Sequence, residues 1–410
     1  MAPPLSADFR VLSTFAGEHA TAIAIWYFTR FVSRQPRRNV MGSSWSRPRC
    51  SRTALALGLV AVLAGCSISA ASVLNTAPSS AKASSSRLAV GSVTLTTVSF
   101  TWNWVEQRPK TSPSARDSYA MAYDAATKQL ILFGGEVPSG ITAFDDTWLW
   151  TGKTWQKLSP KVSPPAGLMG AAMAYDASTR QLIMFGGNTN LGEHESTTWA
   201  WTGASWKKLK PKTSPPALSY AACAYDAKSK QVIIFGGNAN RSPGTQQTWD
   251  WTGTTWKRLS PKESPPAADD GSMTYDQSTG ILVLFGGFGK TSGTPSSETW
   301  TWSGENWTLK SPKPTPPARG GAAIAFDDST NQLLMFGGIG KGDGGTQSLG
   351  DTWEWSESGW FVPRPPNHPS GRFTSMTFDA STKQLVLFGG GSLSSDKDFN
   401  DTWLWEDQQS

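Results

Sequence analysis

The sequence predicts an all-β fold, a six-bladed β-propeller of four-stranded antiparallel blades. Three observations lead there. Six segments between residues 118 and 410 carry Phe-Gly-Gly after an apolar run, at Phe133, Phe185, Phe235, Phe285, Phe336 and Phe388, at intervals of 50 to 52 residues. A period near 50 marks a repeat architecture in which no unit buries its apolar face alone. Each unit reads as four short strands separated by turn chemistry, with no helical periodicity. The last unit ends after Trp403-Leu404-Trp405, without a fourth strand, while an unassigned strand around Trp104 precedes the first unit. That N-terminal strand, residues 102 to 108, is expected to complete the sixth blade and close the ring.

Ahead of the repeats, residues 1–40 read as a non-native extension and 41–65 as an export leader. Arg47, Arg49 and Arg52 form a basic region, and Leu55 to Leu63 is an apolar run too short to span a bilayer. Leu63-Ala64-Gly65-Cys66 resembles the bacterial lipobox, which implies lipidation at Cys66 and anchoring to the extracytoplasmic face of a membrane. Residues 66–97, rich in Ser and Ala, read as a flexible tether. Residues 98–410 are assigned to the propeller.

Within the first unit, Ala120 to Tyr123 is the first strand and Asp124 opens a turn in which its carboxylate bonds its own backbone. Gln129 to Phe133 is the second strand, Thr147 to Trp150 the third and Trp155 to Leu158 the fourth. First strands are rich in Ala, Gly and Ser (Ala171-Ala172, Ala221-Ala222), which suits crowding near the axis. Tryptophans sit in the third and fourth strands, where blades splay apart and large rings fill the wedge. Trp148 and Trp150, two apart, share one face of their strand.

Apolar strand, Gly-Gly, Asp-Thr-Trp as in Asn400-Asp401-Thr402-Trp403 and Gly350-Asp351-Thr352-Trp353, a further Trp and then Pro-Pro-Ala-Arg together resemble the kelch repeat. The likeness covers about three quarters of the chain and departs in placing Trp where many kelch units have Tyr. It implies a propeller that binds other molecules. It also places the chain in the structural group of the galactose oxidase central domain, so fold alone does not decide between binding and catalysis.

The chain's formal charge of +6 is misleading. Residues 1–65 hold eight Arg and two acids, and removing them from 37 basic and 31 acidic residues leaves 29 of each. A balanced mature chain gives no bulk reason to bind nucleic acid. Cys66 and Cys223 are the only cysteines after residue 65, so no disulfide framework is expected. Cys223, at a position otherwise held by Met or Ile, reads as a core thiol.

Candidate chemistry concentrates on one rim. The loops between second and third strands (136–146, 188–197, 238–247, 288–298, 339–351 and 391–401) vary, and they share a face with the inter-blade linkers. Twelve residues after each fourth-strand Trp the linkers diverge. Arg116, Arg319 and Arg372 lead into blades one, five and six, where Gly167, Leu218 and Ala268 lead into blades two to four. In a closed ring the three arginines are expected to form an arc facing Asp269 and Asp270. Such an arc suits a carboxylate, sulfate or phosphate; the competing reading is that each Arg packs on linkers or pairs with a loop acid.

Asp146, Glu298, Asp351 and Asp401, each before a Thr-Trp, read as local hydrogen-bond acceptors for loop backbone rather than calcium ligands. His194 and His368 are the only histidines after residue 65 and lie in different loops, so no metal-ligand spacing exists. No catalytic residue and no cofactor is assigned. The favoured function is a monomeric, surface-tethered module that binds a protein or glycan ligand, anionic ones included. The alternative is a carbohydrate-active enzyme. The three arginines resemble those of sialidases, although the Asp-box of that family is absent. A copper oxidase like galactose oxidase needs two His, two Tyr and a Cys, and most tyrosines here are repeat-core residues.

Overall fold

The computed structural model describes residues 67–71, 95–99 and 101–408, apart from 138–141, 166, 240–243, 290–292 and 343–344. The leader, Cys66 and the extension expected over residues 1–40 lie outside the described residues. Of the segment expected to be a flexible tether, residues 72–94 also lie outside the described residues, and Ser67–Ala71 pairs antiparallel with Leu95–Ser99.

Among the described residues six four-stranded antiparallel sheets follow, each running from an innermost to an outermost strand, with two smaller sheets on the linkers and loops of blades four and five. In blade one these are Ala120–Asp124, Gln129–Phe133, Thr147–Trp150 and Trp155–Leu158. The innermost strands touch in sequence order, and that of blade six touches that of blade one, so the blades close on themselves. Second strands are the most buried; Leu130, Ile131 and Leu132 have no exposure. They are covered on both faces by neighbouring blades, which explains their unbroken apolar runs instead of alternation. The expected Asp turn is present: Asp124 Oδ1 accepts from the Ala126 amide at 2.9 Å and Oδ2 from the Thr127 hydroxyl at 2.7 Å.

One junction repeats around the ring. The outer-strand Trp of each blade donates its indole N–H to the Thr that opens the third strand of the preceding blade, as Trp206 does to Thr147 at 3.0 Å and Trp256 to Thr198 at 2.9 Å. The same ring stands edge-on to the Phe of the preceding Phe-Gly-Gly, Phe133 to Trp206 at 5.4 Å, and tilts against a Trp of its own blade, Trp201 at 5.2 Å. Each such ring combines burial with a satisfied polar handle. The glycines after Phe turn the chain beneath the next linker. Gly134 has φ of 71°, and a side chain there would collide with the Leu168 carbonyl.

The N-terminal strand closes the ring as expected. Thr101–Gln107 pairs with Lys397–Gln408 as the outermost strand of blade six, Trp104 opposite Trp405. Trp104 donates to Thr352 of blade five at 3.0 Å, and Trp155 to Thr402 of blade six at 2.9 Å, so both seams of the blade built from the two chain ends carry the repeated junction. The loops of blades five and six carry strands of their own. Ile339–Gly342 and Gly345–Ser348 form a ladder within 339–351, and the blade-six strands extend through Ser392 and from Lys397 across a register shift.

Candidate functional site at the axial mouth

Linkers and variable loops do share a face. Each linker meets the segment after its own Phe-Gly-Gly in a short antiparallel bridge, Asp117 with Glu136, Met169 with Asn188, Ser219 with Asn238. One step further the linkers join one another. Gly170 N–H donates to the Ser118 carbonyl (2.7 Å), Tyr220 to Gly170 (2.7 Å), Asp270 to Tyr220 (3.0 Å), Gly321 to Asp270 (2.8 Å) and Thr374 to Gly321 (3.4 Å). These six residues, one per blade, are joined by five hydrogen bonds into an annulus at the mouth of the axis, open between Thr374 and Ser118.

Five of the six annulus residues hold left-handed backbone; Thr374, beside a register shift, does not. Gly170 and Gly321 adopt φ of 62° and 63° without steric cost, yet Ser118, Tyr220 and Asp270 hold 54°, 57° and 52° in the same role. A non-glycine residue held there costs on the order of 1–3 kcal/mol, and such strain clusters at functional sites. Three side chains are therefore retained at the mouth where glycine would be easier.

The groups gathered there are mainly acids. Asp117 accepts from the Ser118 hydroxyl at 2.6 Å, and the Tyr220 hydroxyl donates to Glu136 at 3.4 Å. Asp117 and Asp398 flank one point: a Cβ on Gly391 would lie 2.8 Å from Asp117 Oδ2 and 3.0 Å from Asp398 Oδ1. Burial, then repulsion from Asp117, raises the Asp398 carboxyl well above the carboxylate range, and burial raises Asp117 as well. Asp270 is pushed up to about 8 by burial and by the charges of Asp269 and Asp117. Burial also raises Glu136 and Asp269. The mouth thus offers carboxylates and neutral carboxyls, suited to a cation or to a ligand rich in hydroxyl and amine groups.

The arginine arc is corrected by the structure. Arg116, Arg319 and Arg372 are 0%, 0% and 1% exposed, and each is closed inside its own blade. Arg116 forks onto Asp146 at 2.5 and 3.2 Å, donates to the Gly134 carbonyl at 2.9 Å and to the Ser114 carbonyl at 3.0 Å. Arg319 repeats this with Asp351, Gly337 and Pro317. Arg372 pairs with Asp401, Gly389 and Ser370. Phe144 and Phe399 stack on two of the guanidinium groups at 3.8 and 3.7 Å. With most of its five donors used and no exposed surface, none of the three is offered to an anion. Burial works against the charges of Asp146 and Asp351, but their hydrogen bonds to Arg116 and Arg319 hold both carboxyls below the usual range.

The acids before Thr-Trp also differ from expectation. They serve side chains, not loop backbone: Asp146 accepts from the Trp148 indole at 2.8 Å, Glu298 from Trp300 at 2.8 Å, Asp351 from Trp353 at 2.6 Å and Asp401 from Trp403 at 2.8 Å. Thr197 and Gln247 do the same for Trp199 and Trp249. The position requires an acceptor; it becomes an aspartate where an arginine faces it.

The counterpart of the arginines in blade two is Leu168, not Gly167, because that linker is one residue longer. The carbonyl of this position accepts from the second Gly of the preceding blade throughout, Arg116 from Gly390, Leu168 from Gly135, Leu218 from Gly187, Ala268 from Gly237, Arg319 from Gly287 and Arg372 from Gly338. Cys223 packs half-buried on the core between blades two and three, and burial pushes its thiol up to about 12. His194 bonds Ser219 and His368 the Pro369 carbonyl. No cluster of three metal-ligating side chains occurs among the described residues.

A family model for the KLHDC2/KLHL20/DRC7 Kelch-repeats domain matches residues 84–274. The solved structure of YjhT superposes with a TM-score of 0.55 at 15% identity, over 72% of this chain and 96% of its own. No curated protein matches.

Proposed function

From the premise that this chain is a kelch-repeat β-propeller, we propose that it is an exported, lipid-anchored binding module. It engages a protein or glycan ligand at the loop face, through the acidic annulus at the axial mouth. The observation that carries this reading is the retention of Ser118, Tyr220 and Asp270 in left-handed backbone where Gly170 and Gly321 do the same structural work. The same backbone recurs at turn residues Lys128, Arg180, Lys230, Asn331 and Lys383, so what supports use of the three at the mouth is their place among Asp117, Glu136 and Asp398. The ligand group they suit is cationic or a hydrogen-bond donor, an amine or a hydroxyl cluster, and this replaces the anionic ligand expected from sequence. Anchoring through Cys66 places that face outside the cell, and two acyl signals are what stable attachment requires.

A panel of glycans and basic peptides tests the binding reading, read against Asp270→Asn and Ser118→Gly. Asp270→Asn removes the titrating group and Ser118→Gly relieves the strain. Both are expected to melt at or above the wild-type temperature at neutral pH and lose affinity about tenfold or more. Binding unaffected by either variant contradicts the assignment. Cys66→Ala is expected to release the chain from the membrane fraction or block its processing.

A second reading rests on Asp270 alone. A carboxyl held up to about 8 beside charged neighbours is a competent general acid at neutral pH, which favours a carbohydrate-active enzyme on the same face. Hydrolysis measured on the same glycan panel separates it: turnover abolished in Asp270→Asn supports catalysis, binding without turnover supports the module.

A further inference from the structure

The six equivalent linker positions are filled unequally. Arg116, Arg319 and Arg372 fill three with guanidinium groups, and Leu168 and Leu218, each 1% exposed, fill two with hydrocarbon. The sixth holds Ala268, and the side chain stops at Cβ. A cavity of about 80 Å³ lies there, lined by Phe235, Pro265, Leu284, Gly286, Glu298 and Trp300 among others. That is several times the roughly 10–15 Å³ that admits a water. Pro266 is exposed and Ala267, Ala268, Ser296 and Glu298 are half-buried, so the cavity opens to solvent on the loop face.

Its walls repeat those of the occupied slots. Each arginine binds the carbonyl of the first Gly after Phe and the acid before Thr-Trp: Gly134 and Asp146, Gly337 and Asp351, Gly389 and Asp401. In blade four those positions are Gly286 and Glu298, and both line the cavity. Glu298 presents Oε2 to the Trp300 indole as Asp146 presents Oδ2 to Trp148. No salt bridge to Glu298 forms among the described residues, whereas each of the three aspartates has its arginine. Where Phe144 crowds the blade-one guanidinium, blade four has Ser296. Blades two and three, which lack an acid, close the slot with leucine. Blade four keeps the acid and leaves the slot open.

We propose that the blade-four slot is a binding site for a guanidinium group supplied from outside the chain, the arginine side chain of a partner polypeptide. It lies between blades three and four, with Phe235 on one side and Leu284 and Trp300 on the other, and none of the six annulus residues lines it. The chain's own three arginines define the geometry of the bound state: a fork onto the carboxylate, a bond to the glycine carbonyl, and a planar group held against apolar walls.

The test is a titration of the full chain with ethylguanidinium, observed at the Trp300 indole N–H by NMR, with ethylammonium as the matched cation. Saturable movement of that signal by ethylguanidinium, at least tenfold tighter than by ethylammonium, is expected. Ala268→Leu, which copies blade three, is expected to abolish it. Glu298→Gln, which keeps an acceptor for Trp300 as Gln247 does for Trp249, is expected to weaken it tenfold or more. An arginine-containing peptide is expected to move the same signal and its lysine counterpart not to. No saturable movement, equal response to the two cations, or full response in either variant overturns the proposal. Asp270→Asn leaves this titration unchanged if the two sites are separate, so failure here and failure at the annulus are distinguishable.

Discussion

Blades five, six and one hold their linkers with a buried arginine–aspartate pair, and blades two and three hold theirs with leucine. The backbone is the same in both groups: the linker carbonyl takes the same glycine N–H, and the acceptor before Thr-Trp takes the same indole. The fold therefore requires a filled slot and an acceptor, not a charge. A buried ion pair and a hydrocarbon of similar volume are near-equivalent solutions, while half of an ion pair is a poor one. Arginines confined to three adjacent blades were a sign of local pairing, not of a shared ligand.

The largest effect is expected at blade six, the one assembled from both chain ends. Deleting residues 101–107 removes fully buried Trp104 and its bond to Thr352 and leaves an open edge on Lys397–Gln408. Aggregation or a sharply lowered melting temperature is expected, and an unchanged melt would show the strand to be dispensable. Next come the single halves of a pair. Arg372→Ala and Asp401→Ala each strand a buried partner, and urea unfolding is expected to show a loss of about 3–5 kcal/mol for either. The same truncation at Leu218 is expected to cost about 2–5 kcal/mol through a cavity, with no dependence on salt or pH. Filling the open slot by Ala268→Leu is expected to gain roughly 0.5–2 kcal/mol, and a loss would show that blade four is not built as blade three is.

A separate effect concerns pH. Asp270 titrates at about 8 in the folded chain, above its unfolded value. The folded state therefore holds a proton that the unfolded state has lost, and stability falls as pH rises from about 4 to about 8. Asp398 adds to the same trend. Asp270→Asn is expected to flatten the fall. A melting temperature that rises across this window in the wild type contradicts the assigned burial.

The blade and its count of strands were legible because one pattern occurs six times and each apolar run is bounded by turn residues. Ring closure was legible from a strand missing at one end and present at the other. The partners of Arg116, Arg319 and Arg372 were less so. Asp146, Asp351 and Asp401 were visible as acids, but the 29 to 32 residues between partners cross a variable loop, and no periodicity bridges it. The annulus was missed for a different reason. Ser118, Tyr220 and Asp270 look unrelated until the linkers are counted back from Phe-Gly-Gly, which also corrects Gly167 to Leu168; Thr374 is displaced from that count by the register shift between Phe373 and Ser375. Only in that alignment do they fall opposite Gly170 and Gly321. Left-handed backbone at a serine or tyrosine leaves no mark in composition.

The most direct measurement is a double-mutant cycle on Arg116 and Asp146, where the pair is 0% and 9% exposed. Arg116→Leu with Asp146→Thr copies blade two, where Leu168 fills the slot and Thr197 accepts from Trp199. Unfolding free energies are predicted to fall by about 3–5 kcal/mol in each single variant and to return most of the way to wild type in the double. A double variant as unstable as the sum of the singles would contradict the account, since it would mean that blade one needs its charges for something other than filling the slot.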